Sequence, residues 1–190
     1  MLSFNRHTRG VARTASLLVA STAISFVLGV AGAQANETAP MPLVLTAYSN
    51  GVGGANLLSK HYEEALTEIQ RFKPQSSLAS SAKANNLCVA LTASRQLIEA
   101  KTACTAALSA AKYERLSSAR FTGGLNDISE VAVAYSNRAV AYALSQDMAS
   151  ARADLERAQM LAPKAEFVSR NLAAAAMSRS TIAQLDVSTR

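Results

Sequence analysis

Apolar and small residues return along much of this chain at the spacing of one helix face. In residues 60–74, 95–109 and 147–163, an alanine is followed four residues later by a larger apolar residue or a cysteine, and after three more by another apolar position. This i, i+4, i+7 pattern predicts amphipathic helices. The stripes run through Ala65, Ile69 and Phe72, through Ala100, Cys104 and Ala107, and through Ala151, Leu155 and Ala158.

A second pattern precedes the last two stripes and occurs once more after them. Its copies are Asn86-Leu-Cys88-Val-Ala90, Asn137-Arg-Ala139-Val-Ala141 and Asn171-Leu-Ala173-Ala-Ala175. Asn137 and Asn171 are 34 residues apart, Ala65 and Ala100 are 35 apart, and Ala100 and Ala151 are 51 apart, which is 34 plus an insertion of 17. A fixed period of this length indicates a helical repeat protein.

The chain resembles the tetratricopeptide repeat family, and residues 131–164 match it best. The matching positions are Ala139, Tyr142, Ala151, Leu155, Ala158 and Pro163. The resemblance implies an all-α fold, a stack of antiparallel helical hairpins over residues 46–190 with about 2.5–3 repeats and an insertion near 112–129. Residues 164–186 are expected to form a C-terminal capping helix. In each repeat hairpin we call the first helix the leading helix and the second the returning helix. The glycines of 51–54 predict that the leading helix of the first repeat is short or absent.

The N-terminal 35 residues have the pattern of a secretory signal peptide. Arg6, Arg9 and Arg13 precede a charge-free apolar stretch that ends in Ala33-Gln34-Ala35. We expect cleavage after Ala35 and a periplasmic protein. The alternative is an uncleaved anchor, so membrane contact is expected only through the uncleaved precursor.

Residues 36–45 are predicted to be a linker, because Pro40 and Pro42 prevent a regular helix. Removing residues 1–35 leaves 16 basic and 13 acidic residues, a net charge of +3. The mature chain has no basic run, so nucleic acid is not expected as a partner.

Cys88 and Cys104 are the only cysteines, and we predict that they form a disulfide. Within the aligned repeats they occupy the core-facing positions of a leading and a returning helix, and the turn between these helices should lie at 94–96. Residues equidistant from a hairpin turn lie side by side, and an exported chain meets oxidising conditions. The alternatives are a pair of buried reduced thiols and, with less support because no CxxC motif is present, a redox-active pair.

The resemblance also suggests a partner site. Leading helices in this family line a concave groove, and an Asn there often bonds the backbone of an extended peptide. The expected groove residues are Asn86, Val89, Asn137, Val140, Arg170 and Asn171. The alternative is that the asparagines bond neighbouring helices and hold the stack together. We therefore expect a non-catalytic adaptor for a protein or peptide.

The insertion 112–129 is a second candidate interface, because Tyr113, Arg115, Arg120 and Phe121 are residue types that anchor protein contacts. An extension of the preceding helix followed by a loop explains it equally well. If this segment or the convex face is used, the chain would instead be a structural subunit of a cell-envelope complex.

Catalytic patterns are missing from the sequence. His61 is the only histidine after residue 35, which argues against a His-based metal site or a catalytic triad, and no G-x-S-x-G or phosphate-binding loop occurs. We expect no enzyme activity, no metal and no small-molecule cofactor.

Overall fold

The structure, a computed structural model, describes residues 42–122, 128–176 and 185–189. The predicted signal peptide, the N-terminal part of the predicted linker and residues 123–127 of the predicted insertion lie outside these residues. The elements are β1 (Leu43–Ala47), α1 (Gly54–Leu58), α2 (Tyr62–Arg71), α3 (Ser77–Ala93), α4 (Leu97–Thr122), α5 (Ile128–Leu144), α6 (Met148–Leu161), α7 (Glu166–Ala176) and β2 (Leu185–Thr189). No helix among the described residues has the length and apolar character to cross a membrane.

The helices pack mainly on their neighbours in the chain, which confirms the prediction of a mostly helical fold. α3 packs on α4 and α5 packs on α6, so each pair forms a helical hairpin. Successive hairpins are joined by the contacts of α2 with α3, of α4 with α5 and of α6 with α7. The short first leading helix is confirmed, because α1 has five residues and follows Gly53, whose φ is +73°.

The turns that join α1 to α2, α3 to α4 and α5 to α6 have the same backbone structure. Lys60, Arg95 and Gln146 each have a positive φ, at 61°, 62° and 64°. In each turn the next residue donates its N–H to a carbonyl five residues back, as at Gln96 to Leu91 with 3.0 Å. This is the Schellman motif, which provides hydrogen-bond donors for the carbonyls at the C-terminal end of a helix that have no partner within the helix. The turns are therefore spaced like the sequence repeats, 35 and 51 residues apart.

Small residues lie where the helices cross. Ala65, Ala100 and Ala151 are all fully buried, at 0% exposure, so the alanine stripes face the core as the periodicity predicts. Contact residues this small let helix axes approach to the short end of about 8–10 Å. Asp147 caps α6, because its Oδ1 accepts the N–H of Ser150 at 3.1 Å.

The predicted disulfide is present. Cys88 on α3 and Cys104 on α4 are bonded, their Cα atoms are 4.6 Å apart, and neither residue is exposed. Ser94 and Arg95 form the turn between the two helices, as expected from the midpoint of the two cysteines. The bond joins the middle of one helical hairpin across its interface.

The prediction of a linker over residues 36–45 is wrong for Leu43, Val44 and Leu45. These residues begin β1, which is buried along its whole length. β1 pairs in parallel with β2, from Leu43 opposite Leu185 to Ala47 opposite Thr189, so a two-stranded sheet accompanies the helices of the predicted all-α fold. The prediction of a C-terminal capping helix over 164–186 is therefore wrong for Leu185 and Asp186, which begin β2, whereas α7 spans Glu166–Ala176. Pro42 lies just before the strand, where its missing N–H removes no ladder bond.

The first part of the predicted insertion is helical. α4 continues through residue 122, and so contains Tyr113, Arg115, Arg120 and Phe121. Five of the ten residues 103–112 are alanine and none is glycine or proline, so no local signal ends the helix earlier. The alternative of a helix extension therefore holds for residues 112–122.

Candidate functional site

Three leading helices present an asparagine at the same place. Asn86 on α3, Asn137 on α5 and Asn171 on α7 are completely buried, at 0% exposure. The repeat spacing brings them together because equivalent positions in stacked repeats lie on one face of the stack. Together with β1, which they hold, these three residues define what we call the asparagine ladder.

Each asparagine of the ladder forms two hydrogen bonds with the backbone of one residue, which lies in β1 for Asn171 and Asn137 and directly after β1 for Asn86. Its Oδ1 accepts the N–H of that residue, and its Nδ2 donates to the carbonyl of the same residue. The N–H···Oδ1 and Nδ2–H···O distances are 2.7 and 2.8 Å for Val44 with Asn171, 2.8 and 2.8 Å for Thr46 with Asn137, and 2.9 and 3.0 Å for Tyr48 with Asn86. An amide suits this role because it donates and accepts at once.

The three asparagines bind every second residue from Val44 to Tyr48. Their order is reversed, because Asn171 binds the first of these residues and Asn86 the last. Backbone groups of alternate residues point to the same edge of an extended strand, so the three amides cover one edge of β1 and β2 covers the other. The backbone of β1 and Tyr48 is thus bonded by groups that follow it in the chain by at least 38 residues.

Further hydrogen bonds orient the amides. Asn137 Nδ2 also donates to Asn85 Oδ1 at 2.9 Å, and Asn85 Nδ2 donates to the carbonyl of Thr46 at 3.0 Å. Asn171 Nδ2 donates to Ser136 Oγ at 2.9 Å. Because each amide has neighbours that accept from its nitrogen, its oxygen is left to face the N–H of β1. Asn137 and Asn171 thus link leading helices, as the alternative interpretation expects, and the extended segment that the three asparagines bond belongs to the same chain.

The floor of the groove is apolar. Val89 and Val140, two of the expected groove residues, are buried in one cluster with Leu43 and Leu45 of β1. Burying a Leu or Val side chain contributes about 1.5–3 kcal/mol relative to leaving it exposed. The strand therefore belongs to the main core, and the groove is already filled by a segment of its own chain.

Arg170, the remaining expected groove residue, lies at the side of the sheet. Its guanidinium is 3.4 Å from the carboxylate of Asp186 in β2, and both side chains are partly exposed. Asp186 also affects Tyr62 on α2, whose pKa is raised above its ordinary value, first by burial and then by this negative charge. Arg170 thus contacts the C-terminal strand that covers β1.

The second set of expected partner residues lies on α4. The side chain of Tyr113 is 66% exposed and Arg115 is partly buried. Arg120 and Phe121 are within the helix, but their side chains lie outside the described part of the chain. Leu116, one turn from Tyr113, is also exposed, at 65%. This face of α4 is therefore apolar in part and open to water.

A buried ion pair between α5 and α6 was missed by the sequence analysis. Arg138 donates from Nε and from one terminal nitrogen to the two carboxylate oxygens of Asp154, at 2.7 and 3.0 Å, and Asp154 is only 2% exposed. Arg138 also lies over the rings of Tyr135 and Tyr142, 5.8 and 5.7 Å from their centroids. The hydrogen bond with Asp154 is the main cause that raises the pKa of Arg138.

The side chains that bond the backbone of the extended segment are amides, which recognise a backbone because they donate and accept hydrogen bonds at once. In the part of the chain that the structure describes, no cluster of three His, Cys, Asp or Glu residues could hold a metal ion.

Comparison with known proteins adds no relative: no family model, no curated protein and no solved structure matches this chain.

Proposed function

We propose that this chain is an exported, non-catalytic protein-interaction module of the tetratricopeptide-like type, whose concave groove recognises the backbone of an extended polypeptide. The observation that carries the proposal is the asparagine ladder, which forms paired hydrogen bonds with Val44 and Thr46 of β1 and with Tyr48 directly after it. Such main-chain bonds give affinity for an added strand, and side-chain pockets give selectivity. A periplasmic location, reached through cleavage after Ala35, would agree with the buried disulfide.

The strand that fills the groove is an imperfect occupant, which supports exchange with a partner. The hydroxyl of Thr46 is buried and has no hydrogen-bond partner among the described residues. Leaving a buried hydroxyl unsatisfied costs about 1–3 kcal/mol. A partner strand with valine at this position would keep the backbone bonds to Asn137 and avoid that cost. The groove would then bind the partner strand in place of β1.

The proposal is tested with a substitution that loosens β1 in the full chain. Thr46→Pro removes the N–H that donates to Asn137 Oδ1 at 2.8 Å. We expect the variant to bind a labelled peptide PLVLVAY, which is residues 42–48 with valine in place of Thr46, about tenfold more tightly than wild type does. Fluorescence anisotropy measures binding, and far-UV circular dichroism checks that the helices remain.

Thr46→Ala is the matched control, because it keeps the backbone N–H. A Thr46→Pro variant that retains its helicity and binds the peptide no better than this control would contradict the groove proposal. The strand would then be a permanent part of the fold.

A structural subunit that uses α4 is the second candidate, and the exposure of Tyr113 and Leu116 favours it. Changing both residues to serine should abolish partner capture if this face is the interface. Capture that survives these changes and responds to Thr46→Pro supports the groove instead.

A further inference from the structure

A cavity of 890 Å³ lies beside the end of β1, next to the groove. It is formed where the segment after β1, the end of α2, the first turns of α3 and parts of α4 and α5 meet. Its volume falls within the range of about 300–1,000 Å³ that is usual for small-ligand sites. Tyr48, the last residue held by the asparagine ladder, forms part of its wall.

Three carboxylates from three different helices line this cavity. They are Glu68 of α2, Glu114 of α4 and Glu130 of α5, and none of the described residues that line it is basic. Each has a hydrogen bond that positions it: Asn56 donates to Glu68 at 3.1 Å, Ser77 donates to Glu114 at 3.5 Å, and the hydroxyl of Tyr48 donates to Glu130. The ammonium of Lys83 on α3 donates a hydrogen bond to the carbonyl of Phe72 at 2.6 Å, and Lys83 is not among the lining residues.

Part of the remaining wall is apolar or aromatic. Val52, Phe72 and Leu78 line the cavity, and Leu78 is 67% exposed although it is a large apolar residue. A ring such as that of Phe72 attracts an organic cation at its face. Apolar walls beside fixed negative charges are suited to a ligand that has a positive head and an apolar stem.

Ser81 provides an independent sign of a ligand. It is 7% exposed, it lines the cavity, and its hydroxyl forms no hydrogen bond with any described residue. Other hydroxyls on the same helix, such as those of Ser80 and Thr92, donate to backbone carbonyls four residues back. A nearly buried polar group that faces a cavity without a protein partner is positioned to bond a ligand.

We propose that this cavity is a binding site for an organic cation, a primary ammonium or guanidinium on an apolar stem. Glu68, Glu114 and Glu130 would neutralise the charged head, Phe72 and Leu78 would cover the stem, and the Ser81 hydroxyl would accept a hydrogen bond from the head. The cation is either the side chain of a lysine or arginine in a partner polypeptide or a free amine. The site does not depend on whether the groove accepts a partner strand.

The test is a titration of the purified chain, followed by NMR at the backbone amides of Leu78 and Ser81. The probes are n-pentylamine, its neutral analogue n-pentanol, and the blocked peptide acetyl-Ala-Lys-Ala-amide. We expect saturable shifts with pentylamine, affinity for pentanol lower by about tenfold, and weaker amine binding as salt is added, because attraction between charges is screened.

Glu68→Gln combined with Glu114→Gln should weaken amine binding by about tenfold, because two of the three negative charges are removed while the amides still accept the bonds from Asn56 and Ser77. Glu99→Gln combined with Glu156→Gln is the control, since both residues are exposed, neither lines the cavity, and the total charge changes equally. The control should change the affinity by less than about twofold. Amide signals far from the cavity show whether each variant is folded.

Binding of the lysine peptide at least tenfold more tightly than pentylamine would assign the cation to a partner polypeptide, and equal or weaker binding would assign it to a free amine. Both outcomes support the site. The proposal is overturned if no probe gives saturable shifts at Leu78 and Ser81, or if the control pair loses as much affinity as the Glu68 and Glu114 pair.

Discussion

The two complete hairpins, α3–α4 and α5–α6, share one backbone plan but are held together by different chemistry. When the two hairpins are aligned with a shift of 51 residues, Cys88 is equivalent to Ala139 and Cys104 to Leu155. The first hairpin therefore has a covalent bond at the positions where the second has small or apolar buried residues. The same shift places Leu87 over Arg138, and the second hairpin is joined by an ion pair instead.

This ion pair is unlike anything at the equivalent positions of the first hairpin. Asp154, whose carboxylate is 2% exposed, is bonded to Arg138 and also to Arg157 at 3.1 Å. The position equivalent to Asp154 is Ala103, which is buried and apolar. The comparison shows that small core residues define the hairpin, and that the bonds which lock it can differ from one repeat to the next.

Breaking the ion pair should have the largest effect. Asp154→Ala leaves the mostly buried guanidinium of Arg138, whose side chain is 14% exposed, without its partner. We expect a loss of about 3–5 kcal/mol of unfolding free energy, measured by urea denaturation.

Giving the second hairpin the residues of the first should be far less costly. Arg138→Leu combined with Asp154→Ala copies Leu87 and Ala103, and a buried ion pair replaced by apolar residues is often neutral or even stabilising, so we expect a change of less than about 1 kcal/mol. A double variant as unstable as Asp154→Ala alone would contradict this account of the ion pair.

The disulfide should have the next largest effect. Cys88→Ala combined with Cys104→Ala opens a link across a sequence separation of 16 residues, which we expect to cost about 3 kcal/mol. Cys88→Ala with Cys104→Leu copies Ala139 and Leu155, and should recover about 1–2 kcal/mol through the added apolar burial. Denaturation with and without dithiothreitol provides the control, because only the wild type should lose stability on reduction. Equal stability of the oxidised and reduced wild type would show that the bond contributes nothing.

The smallest effect is expected at the start of each returning helix, where Asp147 corresponds to Gln96. The pKa of Asp147 is lowered from its ordinary 3.8, first by the hydroxyl and then by the backbone N–H of Ser150. A lowered pKa stabilises the fold above the ordinary value, and this contribution is lost as the pH falls through the lowered one.

Asp147→Asn should therefore melt below wild type at about pH 5–7 by no more than about 2 °C, and the difference should vanish in acid. Gln96→Asn in the first hairpin is the control, since neither side chain titrates. A difference between wild type and Asp147→Asn that stays constant down to acid pH would argue against a charged cap.

Much of the helical architecture could be predicted because its signals are local. The alanine stripes placed Ala65, Ala100 and Ala151 in the core, and the spacing of Cys88 and Cys104 about their turn placed both sulfurs at one interface. The equivalence of the three asparagines also followed from the repeat, although the segment that they hold did not.

The strand was not predicted, because Pro40 and Pro42 indicate a segment without regular helix and the strand begins directly after Pro42. LVLTA, bounded by Pro42 and the Asn50-Gly51 pair, is the short apolar run typical of a buried strand, and this was the available signal. The ion pair gave a weaker signal, an aspartate at the position where the other repeat has Ala103. The cavity glutamates come from three helices, so no spacing along the chain brings them together.

By itself, the sequence determined which segments form helices, where those helices turn and which residues are small enough to lie between them, because these properties depend on neighbours a few positions away. Only the tertiary structure decided what fills the groove. The backbone groups of β1 and of Tyr48 after it find their partners in side chains 38, 91 and 127 residues further along, so the register of the strand depends on the finished stack of helices. The physical reason is that a short strand cannot satisfy its own hydrogen bonds, and periodicity along a chain does not say which distant amides will do so.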